Sequence, residues 1–175
     1  LELGFTVTSY MARFLRDEEG IPMRRHQVLR VETEDGASYI CDVGVGGNIP
    51  TWPYPLVLDK VYHQDNGSYR LQKDDFLGWV LEEIRQDQWS QLYSFTEEVQ
   101  LPLDFIMPSF WCEYSPDSPF TQRTMVSLRT PEGRVTVADE EFRIFTQDGV
   151  ETFVPENEEG FRSALKKYFG IVLDI

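Results

Sequence analysis

Short runs rich in β-branched and aromatic residues succeed one another along most of this chain, each stopped within a few positions by a turn signal. The runs are Phe5 to Phe14, Gln27 to Thr33, Ser38 to Val43, Leu56 to Tyr62, Ser68 to Gln72, Trp79 to Arg85 and Gln91 to Phe95. Segments such as Glu34-Asp35-Gly36 and Asp65-Asn66-Gly67 separate them. Glycine and asparagine supply the positive φ that tight hairpins need, so this pattern predicts many short antiparallel strands, hence a barrel or a sandwich. Between Gly44 and Pro55 lie three glycines and three prolines, which excludes a central strand and predicts an irregular loop.

The pattern breaks from Pro102 to Pro119 into a connection rich in proline and serine, and we place a domain boundary near Tyr114. Strand-like runs resume at Thr124 to Leu128, Val135 to Ala138, Phe142 to Phe145 and Glu151 to Val154. One helix is expected, from Glu158 to Phe169. Asn157 caps it, Gly170 closes it, and Phe161, Leu165, Tyr168 and Phe169 form its apolar face.

With 175 residues, 41% of them hydrophobic and 14% aromatic, the chain can bury one substantial core or two modest ones. Thirty acidic against 16 basic side chains give a formal charge of -14, which repels a phosphate backbone, so nucleic acid is not an expected partner. No apolar run approaches the roughly 20 residues a membrane span requires, and no membrane association is expected. Cys41 and Cys112 are too few and too far apart for a zinc site or a disulfide framework. Neither a metal nor a disulfide is expected, and a reducing, cytoplasmic setting follows. The first residues, Leu1-Glu2-Leu3-Gly4-Phe5, read as the end of a helix closed by glycine, so the chain is expected to start inside a larger protein.

Only two histidines are present to act as a base near neutral pH. His63, beside the turn Asp65-Asn66-Gly67, reads as an exposed loop residue. His26 opens the hairpin whose second strand leads to Asp42, and the register decides whether the two side chains meet. A two-residue turn of Asp35-Gly36 places them on opposite faces. A three-residue loop with Gly36 in the left-handed conformation pairs Thr33 with Ala37 and sets Asp42 opposite Val28. His26 is then its diagonal neighbour on the same face, within side-chain reach. That register sends Leu29, Val31, Tyr39, Cys41 and Val43 to the other face, an apolar set expected to be core, with Cys41 a buried structural thiol. A histidine and an aspartate on neighbouring strands more often form a structural pair than a catalytic one. The run Gly44-Val45-Gly46-Gly47, with no helix after it, is a weak oxyanion or phosphate site.

Taken together, Arg25-His26, the hairpin and Asp42-Val43-Gly44-Val45-Gly46-Gly47 resemble the arylamine N-acetyltransferase family. Leu3-Gly4-Phe5 with Ala12-Arg13, Leu92-Tyr93-Ser94-Phe95-Thr96 with Asp104-Phe105, Ser115-Pro116-Asp117-Ser118-Pro119-Phe120 and Phe169-Gly170-Ile171 agree with it. The resemblance implies an α+β chain of cysteine-proteinase-like architecture. Residues 1–113 would form an antiparallel β-barrel, and residues 114–175 a small α/β lid with a C-terminal helix. It also implies an N-terminal helical domain, not among these residues, with an Arg-Gly-Gly-x-Cys nucleophile.

By the same resemblance His26 and Asp42 are the base and orienter of a Cys-His-Asp triad, and Val45, Gly46 and Gly47 border the acyl and CoA channel. Acetyl-CoA would acetylate the cysteine, and an arylamine, hydrazine or N-hydroxyarylamine would take the acetyl group. Val45 stands where the family has phenylalanine, and Cys112, in Phe110-Trp111-Cys112, has no counterpart in the family pattern. Lacking the nucleophile, these residues alone are expected to be inactive. Two other readings stay open: an inert binding or interaction module, or a Cys-His-Asp amide synthase or hydrolase using another acyl donor.

Overall fold

The computed structural model describes residues 4–45 and 49–173. The chain divides into two compact units, Leu1–Trp111 and Cys112–Ile175.

In the first unit, eight strands form one antiparallel sheet. They are β1 (Thr6–Phe14), β2 (His26–Glu32), β3 (Ser38–Cys41), β4 (Tyr54–Pro55), β5 (Val61–Gln64), β6 (Gly67–Asp74), β7 (Gly78–Arg85) and β8 (Gln88–Val99). Their order is β4-β3-β2-β1-β8-β7-β6-β5, so the first and last long strands pair and two short strands lie at the edges. Those edges approach each other, with the Tyr62 hydroxyl 3.5 Å from the Pro55 carbonyl oxygen, so the sheet is a nearly closed barrel. Its interior is aromatic: Tyr10, Tyr54, Tyr69, Tyr93 and Phe95 are buried together with Val28, Ile40, Leu71 and Leu81.

Two expectations about this unit need correction. The face bearing Leu29, Val31, Tyr39, Cys41 and Val43 is not the core: its strand residues are half-exposed, and Val43 is 93% exposed. The interior takes the alternate residues, Val28 and Ile40, and with them His26 and Asp42. The outward face is the more apolar of the two by composition, so it is barrel closure and not the residue pattern that turns the His26 face inward. The expected strand from Leu56 to Tyr62 is also absent over most of its length. Val57 N–H turns back to the Pro55 carbonyl at 2.8 Å and Asp59 takes a left-handed φ of 60°, so the chain curls before β5 begins.

The connection after β8 is helical where a loop was expected. A 3₁₀ turn (Pro102–Phe105) leads into α1 (Ile106–Tyr114), which crosses the division between the units, and α2 (Pro119–Gln122) follows. Pro102 and Pro119 open their elements and Pro108 lies in the first turn of α1. No intrahelical N–H bond is required at such positions.

The second unit is a meander of β9 (Met125–Thr130), β10 (Gly133–Ala138), β11 (Glu141–Thr146) and β12 (Gly149–Phe153), with helix α3 (Glu158–Phe169). Asn157 Oδ1 accepts from Gly160 N–H at 2.9 Å, and Gly170 closes the helix at φ +70°. The α3 face of Phe161, Leu165, Tyr168 and Phe169 packs with Val137 and Phe142, as its spacing predicts. The α+β class, the nearly closed antiparallel barrel and the C-terminal helix are thus as expected. No helix among the described residues is long and apolar enough to cross a membrane.

Candidate active site

The β2–β3 hairpin adopts the three-residue register. Thr33 N–H donates to the Ala37 carbonyl at 3.0 Å, Gly36 N–H donates to the Thr33 carbonyl at 2.9 Å, and Gly36 has φ +80°. The ladder then runs from Glu32 opposite Ser38 to Leu29 opposite Cys41, which brings Asp42 level with Val28. Where β2 starts, Arg25 N–H donates to the Ala12 carbonyl at 3.2 Å, and the Arg25 guanidinium lies over the Trp111 ring at 5.1 Å.

His26 Nε2 lies 2.6 Å from Asp42 Oδ2. The other carboxylate oxygen, Oδ1, accepts the Gly44 N–H at 2.8 Å. The Asp42 side chain is only 1% exposed and that of His26 13%, so the pair works in a dry setting where a charged hydrogen bond is strong. A carboxylate only accepts, so Nε2 carries the proton and Nδ1 is left as the basic nitrogen. A Cβ on Gly44 would sit 3.2 Å from His26 Cε1, so the glycine lets backbone lie against the edge of the imidazole.

Beneath His26 lies the ring of Tyr93, 5.7 Å away between centroids and tilted by 55°. The Tyr93 and Tyr54 hydroxyls hydrogen-bond to each other inside the barrel. Burial pushes both phenols well above their usual range, and the nearby Asp42 charge adds to this, so both stay protonated. Neither tyrosine stands out by spacing, although Tyr93 belongs to the run Leu92 to Thr96.

Among the other residues singled out in the sequence, Val45 is half-buried against the barrel core, while Gly46 and Gly47 lie outside the described residues. His63 is exposed on β5, with Nδ1 2.9 Å from Ser68 Oγ. Among the described residues no group of His, Cys, Asp and Glu gathers to hold a metal ion.

Cys41 and Cys112 are both free thiols. Cys41 projects from the face of β3 opposite to Asp42, and Cys112 belongs to the second unit. Burial pushes the Cys41 thiol up, which lowers its thiolate fraction at neutral pH. With Cys112→Ser as background, iodoacetamide is expected to label Cys41 about tenfold more slowly than a free thiol at pH 7, the rate rising as pH rises through the shifted thiol range. Labelling at the free-thiol rate would show the thiol to be open.

A family model described as N-acetyltransferase matches residues 1–175. Among curated proteins, the arylamine N-acetyltransferase of Escherichia coli (strain K12) is 36% identical over 135 residues, covering 75% of this chain and 47% of that protein. The arylamine N-acetyltransferase / N-hydroxyarylamine O-acetyltransferase of Salmonella typhimurium is 29% identical over 173 residues, covering 97% of this chain and 61% of that protein. Among solved structures, the arylamine N-acetyltransferase from Salmonella typhimurium matches with a TM-score of 0.90 at 29% identity, covering 99% of this chain and 64% of the other. That of Mycobacterium marinum in complex with CoA matches at 0.85 and 28%, covering 97% and 64%. The chain belongs to the arylamine N-acetyltransferase family. It spans about half to under two thirds of the length of these relatives.

Proposed function

We propose that this chain carries the base and orienter of an acetyltransferase site, and that a cysteine outside residues 1–175 supplies the nucleophile. The 2.6 Å contact between His26 Nε2 and the buried Asp42 carboxylate carries the reading, because it leaves Nδ1 as the nitrogen that takes a thiol proton. The thiolate attacks the acetyl carbon of acetyl-CoA and the bond to the CoA sulfur breaks. The imidazolium returns its proton to the departing CoA thiolate. The nitrogen of an arylamine or hydrazine, or the hydroxyl of an N-hydroxyarylamine, then attacks the enzyme thioester. His26 takes the proton lost by the acceptor, and the cysteine leaves as thiolate.

The named activities of the relatives and the CoA complex among the matched structures support this choice of donor and acceptor. Val45, Gly46 and Gly47 would border the channel for the acyl group and CoA. Residues 1–113 serve as the barrel domain that carries the pair and 114–175 as the lid. Two free cysteines suit a reducing compartment such as the cytoplasm.

The 175-residue chain and the intact gene product are to be incubated separately with acetyl-CoA and an aromatic amine while free CoA is followed. Turnover is expected from the intact product and none from the 175 residues. Turnover by the shorter chain that disappears in Cys112→Ala would overturn the external nucleophile. An intact product inactive with every thioester would favour a binding module.

A further inference from the structure

Strand β4 is two residues long and pairs by its backbone with β3 alone, with no ladder to β5 across the seam of the barrel. One of its two residues, Tyr54, is fully buried and reaches across the interior to β8, where its hydroxyl bonds to that of Tyr93. In the sheet order β4-β3-β2-β1-β8 the strand that carries His26, β2, lies midway between the two tyrosines. The bonded phenols therefore span the interior that His26 faces. Both hydroxyls are buried, so neither can trade this bond for one to bulk water.

Three contacts hold the imidazole. Asp42 Oδ2 takes Nε2 at 2.6 Å, the Gly44 backbone lies along the Cε1 edge, and the Tyr93 ring lies below at 5.7 Å between centroids, tilted by 55°. A single hydrogen bond fixes one nitrogen and lets the ring swing about it, so the other two contacts decide the tilt of the imidazole. Gly44 is itself tied to Asp42 Oδ1 at 2.8 Å. The Tyr93 ring is set at its root by β8 and at its tip by the bond to Tyr54. Tyr54 in turn stands opposite Ile40, two residues before Asp42 on the chain, so the strand pair that leads into the carboxylate also fixes the tip of Tyr93. We propose that Tyr54 is a positioning residue for His26. Through the Tyr93 hydroxyl it holds the floor of the imidazole where Nε2 meets Asp42 and Nδ1 stays open to a proton. Without the Tyr54 hydroxyl, that of Tyr93 has to find another partner, its ring shifts, and the imidazole loses a support while every reacting group remains.

The role in catalysis rests on the proposed acetyl transfer, so the test uses two readouts on the intact gene product. One is kcat and KM for acetyl-CoA. The other is the ¹H–¹³C resonance of His26 Cε1–H, assigned by its absence from His26→Gln, whose position follows the ring current of Tyr93. Tyr54→Phe keeps the ring and the β3–β4 pairing and removes only the hydroxyl. It is expected to lower kcat about tenfold, to leave KM within about twofold, and to displace the Cε1–H resonance. Tyr93→Phe cuts the same bond from the other end and repeats the test if Tyr54→Phe does not fold. Because the two hydroxyls act as one unit, the double variant is expected to lose about tenfold in kcat, and not the roughly hundredfold that independent effects would give. Losses that multiply, or a folded Tyr54→Phe with a lowered Tm but unchanged kcat and resonance, overturn the proposal. Failure of the acetyltransferase reading would show instead as a wild type that releases no CoA, and the displacement of the imidazole resonance would then decide the proposal by itself.

Discussion

In the intact gene product, Asp42→Asn is expected to lower kcat by about a thousandfold or more, towards the roughly ten-thousandfold loss that a wrong imidazole tautomer causes in serine proteases. The reason lies in the two bonds the carboxylate accepts. One oxygen takes the proton on His26 Nε2 and the other takes the Gly44 N–H. Asparagine is of the same size but has one acceptor. If its oxygen faces His26, its NH₂ group points at the Gly44 N–H, donor against donor. If its oxygen faces Gly44, its NH₂ group requires an unprotonated Nε2, which moves the proton to Nδ1 and blocks the nitrogen that must accept one. With the side chain only 1% exposed, water cannot relieve either arrangement cheaply. The loss should fall on kcat more than on the KM for acetyl-CoA, and unfolding followed by tryptophan fluorescence should show that the barrel survives. A variant within tenfold of wild type would show that the carboxylate charge and its second bond are dispensable.

Phe142→Ala is expected to destabilise the second unit by about 3–5 kcal/mol, the usual range for emptying a buried phenylalanine site. Phe142 is fully buried, stacked on Phe153 at 5.0 Å and edge-on to Phe161 at 5.6 Å, with Tyr168 and Phe169 each at 6.2 Å. It joins the meander to helix α3, and no other buried residue of this small core is as large. Small units have little stability to spare, so a loss of this size is expected to unfold a large share of the population. Trp52, Trp79, Trp89 and Trp111 all belong to the first unit, so tryptophan fluorescence follows the barrel alone. Hydrogen exchange of the α3 amides follows the second unit. The variant should lose α3 protection while the tryptophan transition stays near its wild-type midpoint. A change below about 1 kcal/mol in α3 protection would mean that the surrounding aromatic rings collapse into the space.

What could be read without coordinates was local. The run Glu34-Asp35-Gly36 marks the hairpin turn by its own residues, and of the two loops it allows, the three-residue one is the one that brings His26 and Asp42 to one face. Asn157 and Gly170 bound α3 by the same short-range logic. The ordered motifs from Leu3 to Ile171 resembled the family that the whole-chain match then showed.

Interactions between residues distant in sequence decided the rest. The Leu29–Cys41 face of the β2–β3 hairpin is the more apolar by composition, yet the pairing of β2 with β1 and of β1 with β8 turns the His26 face to the interior and leaves Cys41 half-exposed. The connection rich in proline and serine holds short helices because Pro102, Pro108 and Pro119 sit in first turns, a matter of one or two positions that composition does not resolve. Tyr54 meets Tyr93, and Gln64 meets Trp52, only because the sheet curls until its edges approach. Turn and cap chemistry acts within a few residues and can be read from them. The choice of interior face, and the contacts across a seam, depend on closing long loops, and no local preference encodes them.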